Sequence, residues 1–224
     1  MKKILFILAA SLSLSAMAYD IASYWYEGTR FNFNYPSADD HSQLTLVGIE
    51  SNYPSDLIIP DEVDGIPVTV IATNALDGRS FNSILLPRSL REIQNNAIRS
   101  TSSYFTTITI PENVEIMGGS AISCTYTSGR ANLKKIIWLP KSCVVSSNWC
   151  SGITSDFEIT IGKTCQMIPD NFLQDNEIIT EITIPYGVKT IGNRAFWGCT
   201  KLESVAIGES VKSIGEYAFY DCKS

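Results

Sequence analysis

His41 is the only histidine in the chain, and Asp39 and Asp40 stand beside it. A base oriented by a neighbouring carboxylate is one chemistry that such a trio supports. The plainer reading is a solvated histidine in a polar loop, since no cysteines lie near enough to complete a zinc set. Two glutamates, Glu158 and Glu181, form a second candidate. They occupy equivalent positions in similar segments, and on adjacent strands they would lie about 5 Å apart. That spacing suits the acid and nucleophile of a retaining glycosidase, or part of a calcium site. An open sheet face offers no pocket to desolvate an acid, so two solvated carboxylates are the default, with the pair as a weak metal candidate. The six cysteines are the third group. Cys199 and Cys222 share one position of a repeat, Cys143 and Cys165 another, in columns where sibling segments carry apolar residues. Buried free thiols acting as small hydrophobes account for this; disulfides between neighbouring segments are the alternative in an exported chain.

These positions have meaning only through the repeat that places them. Glu181–Cys199 (EITIPYGVKTIGNRAFWGC) returns as ESVAIGESVKSIGEYAFYDC, ending at Cys222. A fixed period of this size is the signature of a solenoid, in which each unit buries its apolar face only by stacking on its neighbours. Turn residues Pro60, Pro87, Pro111, Pro140, Gly162, Pro185 and Gly208 mark seven coils, and a short strand precedes each turn (LIIP, ILLP, ITIP, IWLP, ITIG, ITIP, VAIG). Apolar anchors follow each turn, such as Ile191, Ala195 and Phe196. The fold class expected is a β-rich, leucine-rich-repeat-like solenoid with one parallel sheet and short turns or helical segments on the other side. The segment Ser142–Ser151 fits this pattern least well.

Alternation along each strand defines two outward columns. One reads Ile58, Leu85, Thr109, Trp138, Thr160, Thr183, Ala206; the other reads Asp56, Ser83, Thr107, Ile136, Glu158, Glu181, Ser204. Trp138, Ile136 and Leu85 interrupt a Thr/Ser/Asp/Glu face and are the candidate ligand-binding residues, with Thr109 and Thr160 flanking them. An insertion bearing Tyr126 and Arg130 supplies a candidate rim. A competing reading starts from LKKIIWLP, which holds one residue more than its siblings. If the strand slips by one, Trp138 turns inward and packs with Trp149.

Residues 1–18 read as an export signal: Lys2 and Lys3, an apolar run from Ile4 to Leu14, and a small-x-small site at Ala16-Met17-Ala18. The run is too short and serine-broken to span a bilayer. Removing it leaves 15 basic and 23 acidic residues, a formal charge of −8. That acidity disfavours nucleic acid and anionic membranes as partners. Residues 19–56 are aromatic and alternating, with a hairpin signal around Glu27-Gly28-Thr29, and read as an N-terminal β cap. Residues 57–224 form the solenoid. No capping sequence follows Cys222, which leaves Val211, Ile214 and Phe219 open to self-association.

The recurring I-x-I-P-x-x-V-x-x-I-G-x-x-A-F-x-x-C pattern resembles the BspA-like leucine-rich repeat family, from Leu57 to Ser224. IIPDEVDGIPVTVIATNAL is similar to a first repeat of that family. The resemblance implies a secreted or surface protein that binds a protein or a host surface, with no catalytic residue and no cofactor. The function expected is an exported, adhesin-like recognition scaffold for a protein or glycan. A structural envelope spacer is the alternative, and a glycan-acting enzyme using Glu158 and Glu181 the third.

Overall fold

The computed structural model describes residues 22–37, 39–124 and 132–223. The export signal and the insertion carrying Tyr126 and Arg130 lie outside them. Strands dominate, and no helix occurs among the described residues. Three strands come first: β1 (Ala22–Tyr26), β2 (Thr29–Asn34) and β3 (Leu44–Ile49). β1 and β2 form an antiparallel hairpin. Its turn residues Glu27 and Gly28 both take positive φ, 45° and 76°, the conformation that matches the twist of a two-residue hairpin. β3 pairs antiparallel with β2 and parallel with the first coil's Ile66–Ile71 strand. Alternation places Tyr24, Phe31, Phe33, Leu44 and Leu46 in the core beside that coil.

Seven coils follow. Each carries a strand before its turn, which defines the A face. The A strands run from Asp56–Ile58, Ser83–Leu85 and Thr107–Ile110 through Leu133–Trp138 and Ile153–Ile161 to Glu181–Ile184 and Ser204–Ile207. A second strand, two residues long in every coil after the first, builds the B face, from Ile66–Ile71 to Ser213–Ile214. Coils 1–4 add a third, C-face strand: Leu76–Arg79, Ile98–Ser100, Ile122–Cys124 and Cys150–Ser151. Coils 5–7 replace it with turns. The expected solenoid is present. Opposite the A face the expected short turns occur in coils 5–7, no helical segment occurs among the described residues, and the chain stacks parallel ladders on up to three faces. In the column after the small anchors, Leu76, Ile98 and Ile122 continue as strand, whereas Leu173, Phe196 and Phe219 lie in turns.

One position per coil holds a left-handed residue: Asn74, Asn96, Ser120, Asn148, Asn171, Arg194 and Tyr217, with φ between 49° and 60°. Asparagine fills four of the seven because it tolerates this region best among residues with a Cβ. Beside this column, side chains bridge the coils. Asp170 Oδ1 accepts from Asn193 N at 2.7 Å, and Asn193 Oδ1 accepts from Glu216 N at 2.8 Å. The approach is close enough that a Cβ on Gly192 would lie 2.5 Å from Asp170 N, and one on Gly215 would lie 2.5 Å from Asn193 N. Glycine is therefore required there by contact with the preceding coil.

The insertion Asp64–Val68 belongs to an antiparallel hairpin pairing Glu62–Val63 with Ile66–Pro67. Asp64 and Gly65 supply its positive-φ turn (51° and 82°).

Candidate functional site

The fourth coil decides the geometry of the A face. Thr107, Ile108, Thr109 and Ile110 pair in parallel with Lys135, Ile136, Ile137 and Trp138, and these pair onward with Glu158, Ile159, Thr160 and Ile161. Leu139, not Pro140, thus stands in the turn column with Pro111 and Gly162. Counted to Leu139, Leu133 stands six residues before the turn, as Phe105 does before Pro111, so LKKIIWLP holds no extra residue. The register shift beside Leu133 belongs to the facing strand, where Ile153 to Glu158 oppose Leu133 to Lys135. A one-residue slip exchanges the two faces of a strand. Trp138 and Ile136 are accordingly both fully buried, at 0% exposure, and the expectation that they form an outward patch is corrected. Trp138 packs 5.1 Å from Trp149 and 4.8 Å from Phe172, ring centre to ring centre. This aromatic cluster fills the segment from Ser142 to Ser151, which lacks the Ala-Phe anchors of its siblings. Trp149 also donates its indole N–H to Phe172 O at 2.6 Å.

The outward positions of coil 4 are Ile137 and Lys135. Lys135 lies in register with Glu158 and forms an ion pair with it. Next to it, Lys134 donates to Asp156 at 2.7 Å. The hydrogen bonds from Lys134 and Thr154 lower the Asp156 carboxyl to about 2. Glu158 is thus matched to a cation rather than to a second acid. Its strand and that of Glu181 belong to separate ladders. Among the described residues, no group of three His, Cys, Asp or Glu side chains could hold a metal ion. His41 is exposed, with its ring 4.1 Å from that of Tyr35. Asp40 accepts from Ser42 N at 2.9 Å.

All six cysteines are free thiols, four of them buried. Burial pushes Cys143, Cys150 and Cys199 up to about 12, and Cys124 and Cys165 to about 11. Counted from Leu139, Cys143 stands four residues past its turn and Cys165 three past Gly162, so these two do not share a column. Sulfhydryls in such surroundings are poor nucleophiles.

Two of the expected ligand-binding residues do come together. No ladder joins Ser83–Leu85 to Thr107–Ile110, and at this gap a groove of about 440 Å³ opens on the edge of the A face. Its floor is Ile84, Leu85, Leu86, Thr109, Pro111 and Leu139, and its rim is Arg88, Glu112, Lys163 and Thr164. Leu85 is 62% exposed. Leu139 reaches the groove because Gly162 has no side chain: a Cβ there would lie 2.6 Å from Leu139 Cδ2. Thr164 Oγ1 donates to Leu139 O at 2.9 Å and fixes that end. Thr160 is exposed on the same face but outside the groove. Leu139 and the rim were not legible in the strand columns, because they belong to the turn column and the residues just after it.

A sequence profile for the BspA type leucine-rich repeat region matches residues 55–178 and 128–224, with six copies. The chain belongs to the BspA-type leucine-rich repeat family. No curated protein is a significant match. Among solved structures, this family member is similar to the leucine-rich repeat protein of T. pallidum, TpLRR. The two are 19% identical, the match covers 86% of each chain, and the TM-score is 0.45. The pneumococcal vaccine antigen PcpA is 15% identical, with 89% of this chain and 68% of that chain covered and a TM-score of 0.35. A leucine-rich cell surface protein of Faecalibacterium prausnitzii is 17% identical, with 93% and 53% covered and a TM-score of 0.39.

Proposed function

We propose that the protein is exported and acts without catalysis, as a recognition scaffold. In this reading it holds a protein or glycan of a cell or host surface in the A-face groove. The observation that carries the reading is Leu85, which stands exposed in an apolar floor beside Thr109 and a rim of Arg88, Glu112, Lys163 and Thr164. Apolar surface rimmed by polar groups is a common mark of an interaction site. Membership of the BspA-type family supports a scaffold role. The basic, apolar and small-residue order of residues 1–18 supports export. The burial of Tyr24, Phe31 and Phe33 against coil 1 supports a cap at residues 19–56.

The test is binding of labelled protein to glycan arrays and to immobilised surface proteins, comparing wild type with Leu85→Asp and with Thr183→Asp on a distant coil. The expected outcome is loss of binding for Leu85→Asp alone, with all three proteins melting at the same temperature. Equal binding by wild type and Leu85→Asp would overturn the groove as the site. Binding by none of the three would leave the structural spacer as the surviving reading.

A further inference from the structure

We propose that the groove takes an extended peptide with two carboxylate side chains four residues apart and an apolar side chain midway between them. This rests on the recognition reading above and names its ligand.

The argument begins with the column one residue past each turn. With Leu139 in the turn column, it reads Asp61, Arg88, Glu112, Pro140, Lys163, Tyr186 and Glu209. Arg88 and Lys163 therefore stand in one line, three coils apart, at the two ends of the groove. At about 4.8 Å per strand, that separation is roughly 15 Å. Both are exposed, and neither takes part in an ion pair among the described residues. This contrasts with Lys134, Lys135 and Lys141 on the same side of the solenoid, each of which faces an acid in an adjacent coil. Two acids stand in the same line on either side of Arg88. Glu112 is engaged by Lys141 at 3.5 Å, and Asp61 accepts from the backbone N–H of Arg88 at 2.6 Å. The rim thus offers two unmatched cations on a chain whose formal charge is −6.

Between those cations the floor is apolar and small. A volume of about 440 Å³ holds one large aliphatic side chain and its backbone with room to spare, not a helix or a second domain. An extended chain rises about 3.4 Å per residue, and side chains at i, i+2 and i+4 share a face. Positions i and i+4 are then about 14 Å apart, which matches the Arg88–Lys163 span within the reach of both side chains. The i+2 side chain falls over Leu85 and Leu139. The Thr109 hydroxyl remains exposed at the floor to meet the peptide backbone. Charge at both ends and an apolar centre together define the ligand.

The experiment is fluorescence polarisation with the full chain and three labelled pentapeptides: Glu-Ser-Leu-Ser-Glu, Gln-Ser-Leu-Ser-Gln and Lys-Ser-Leu-Ser-Lys. An oligosaccharide of uronic acids serves as an unlabelled competitor. The expected order is acidic, then neutral, then basic. Arg88→Ala and Lys163→Ala should each weaken the acidic peptide about twofold to fivefold, as exposed charge pairs do, and together about tenfold. The neutral peptide should be unaffected by either change, and added salt should erase the preference. Equal affinity for the acidic and neutral peptides would overturn the inference while leaving the groove as a recognition site. Binding of no peptide, with Leu85-dependent surface binding intact, would overturn it too, as would displacement by the uronic acid oligosaccharide at lower concentration than by the peptide.

Discussion

Truncating Trp138 to alanine tests the register of the whole A face. A buried tryptophan removes about 200 Å² from water, worth about 5 kcal/mol at about 25 cal/mol per Å². The alanine methyl recovers about 1 kcal/mol of that. The ring contacts with Trp149 at 5.1 Å and Phe172 at 4.8 Å contribute about 0.5–1.5 kcal/mol each beyond area. Partial collapse of the cavity offsets some of the loss, so Trp138→Ala should cost 3–5 kcal/mol, in the range of about 3–5 found for buried aromatics. The assay is guanidinium unfolding followed by far-ultraviolet circular dichroism, which does not depend on tryptophan emission. Ile137→Thr is the matched control, because Thr109 and Thr160 occupy that column in the adjacent coils. Ile137 is half-buried, so this change should cost no more than about 1 kcal/mol. A cost below about 1 kcal/mol for Trp138→Ala, or a larger cost for Ile137→Thr, would refute the inward register.

Three further outcomes follow from the packing. Because burial raises the Cys143, Cys150 and Cys199 thiols from the ordinary 9.0 to about 12, the folded state keeps protons that the unfolded chain releases above about pH 9. Their contribution to stability is therefore present below pH 9 and is lost as pH rises from 9 towards 12. Thermal melts between pH 8 and 11 check this, and thiol counting should find six free groups only after denaturation. Gly192→Ala, whose Cβ would meet Asp170 N at 2.5 Å, should destabilise by about 1–3 kcal/mol through overpacking, read by the same denaturant titration; an unchanged midpoint would show that the coils can part there without cost. In coil 7, Ile207 is 44% and Ile214 51% exposed, where their coil 6 counterparts Ile184 and Ile191 are buried. We propose that this chain self-associates with concentration and that Ile214→Lys suppresses it, as sedimentation velocity would measure; identical profiles for both proteins would sink the idea.

Much of this architecture was legible because a solenoid writes its columns into the sequence at a near-constant period. The exception at LKKIIWLP has a definite cause. Proline marks the turn in four other coils, so Pro140 looks like the turn residue. Either register, moreover, puts apolar side chains on both faces of K-I-I-W-L. Alternation cannot choose between Ile136/Trp138 and Ile137/Leu139. What chooses is the fit of Trp138 between Trp149 and Phe172, and of Leu139 against Gly162, which are contacts between coils. Leu85 and Thr109 were found because their strands are regular. Arg88 and Lys163 were missed because they stand one residue past the turn, outside the two outward strand columns. The asparagines at 74, 96, 148 and 171 were a readable sign of the left-handed column, whereas Arg194 and Tyr217 hold the same conformation without any such mark.

The three faces do not break at the same heights. The A ladder is interrupted between coils 2 and 3 and again between coils 5 and 6, whereas the B ladder runs unbroken through coils 1–4 and resumes for coils 5–7. The C ladder spans coils 1–4. The joints are staggered as in masonry: every boundary between coils is crossed by at least one ladder, and tension along the axis passes from face to face. The boundary between coils 4 and 5 is bridged by the A ladder, together with the Trp138–Trp149–Phe172 cluster, and the boundary between coils 5 and 6 by the two-pair B ladder. A pull along the axis is borne at each of these two seams by one ladder, and the shorter ladder, between coils 5 and 6, is where extension begins.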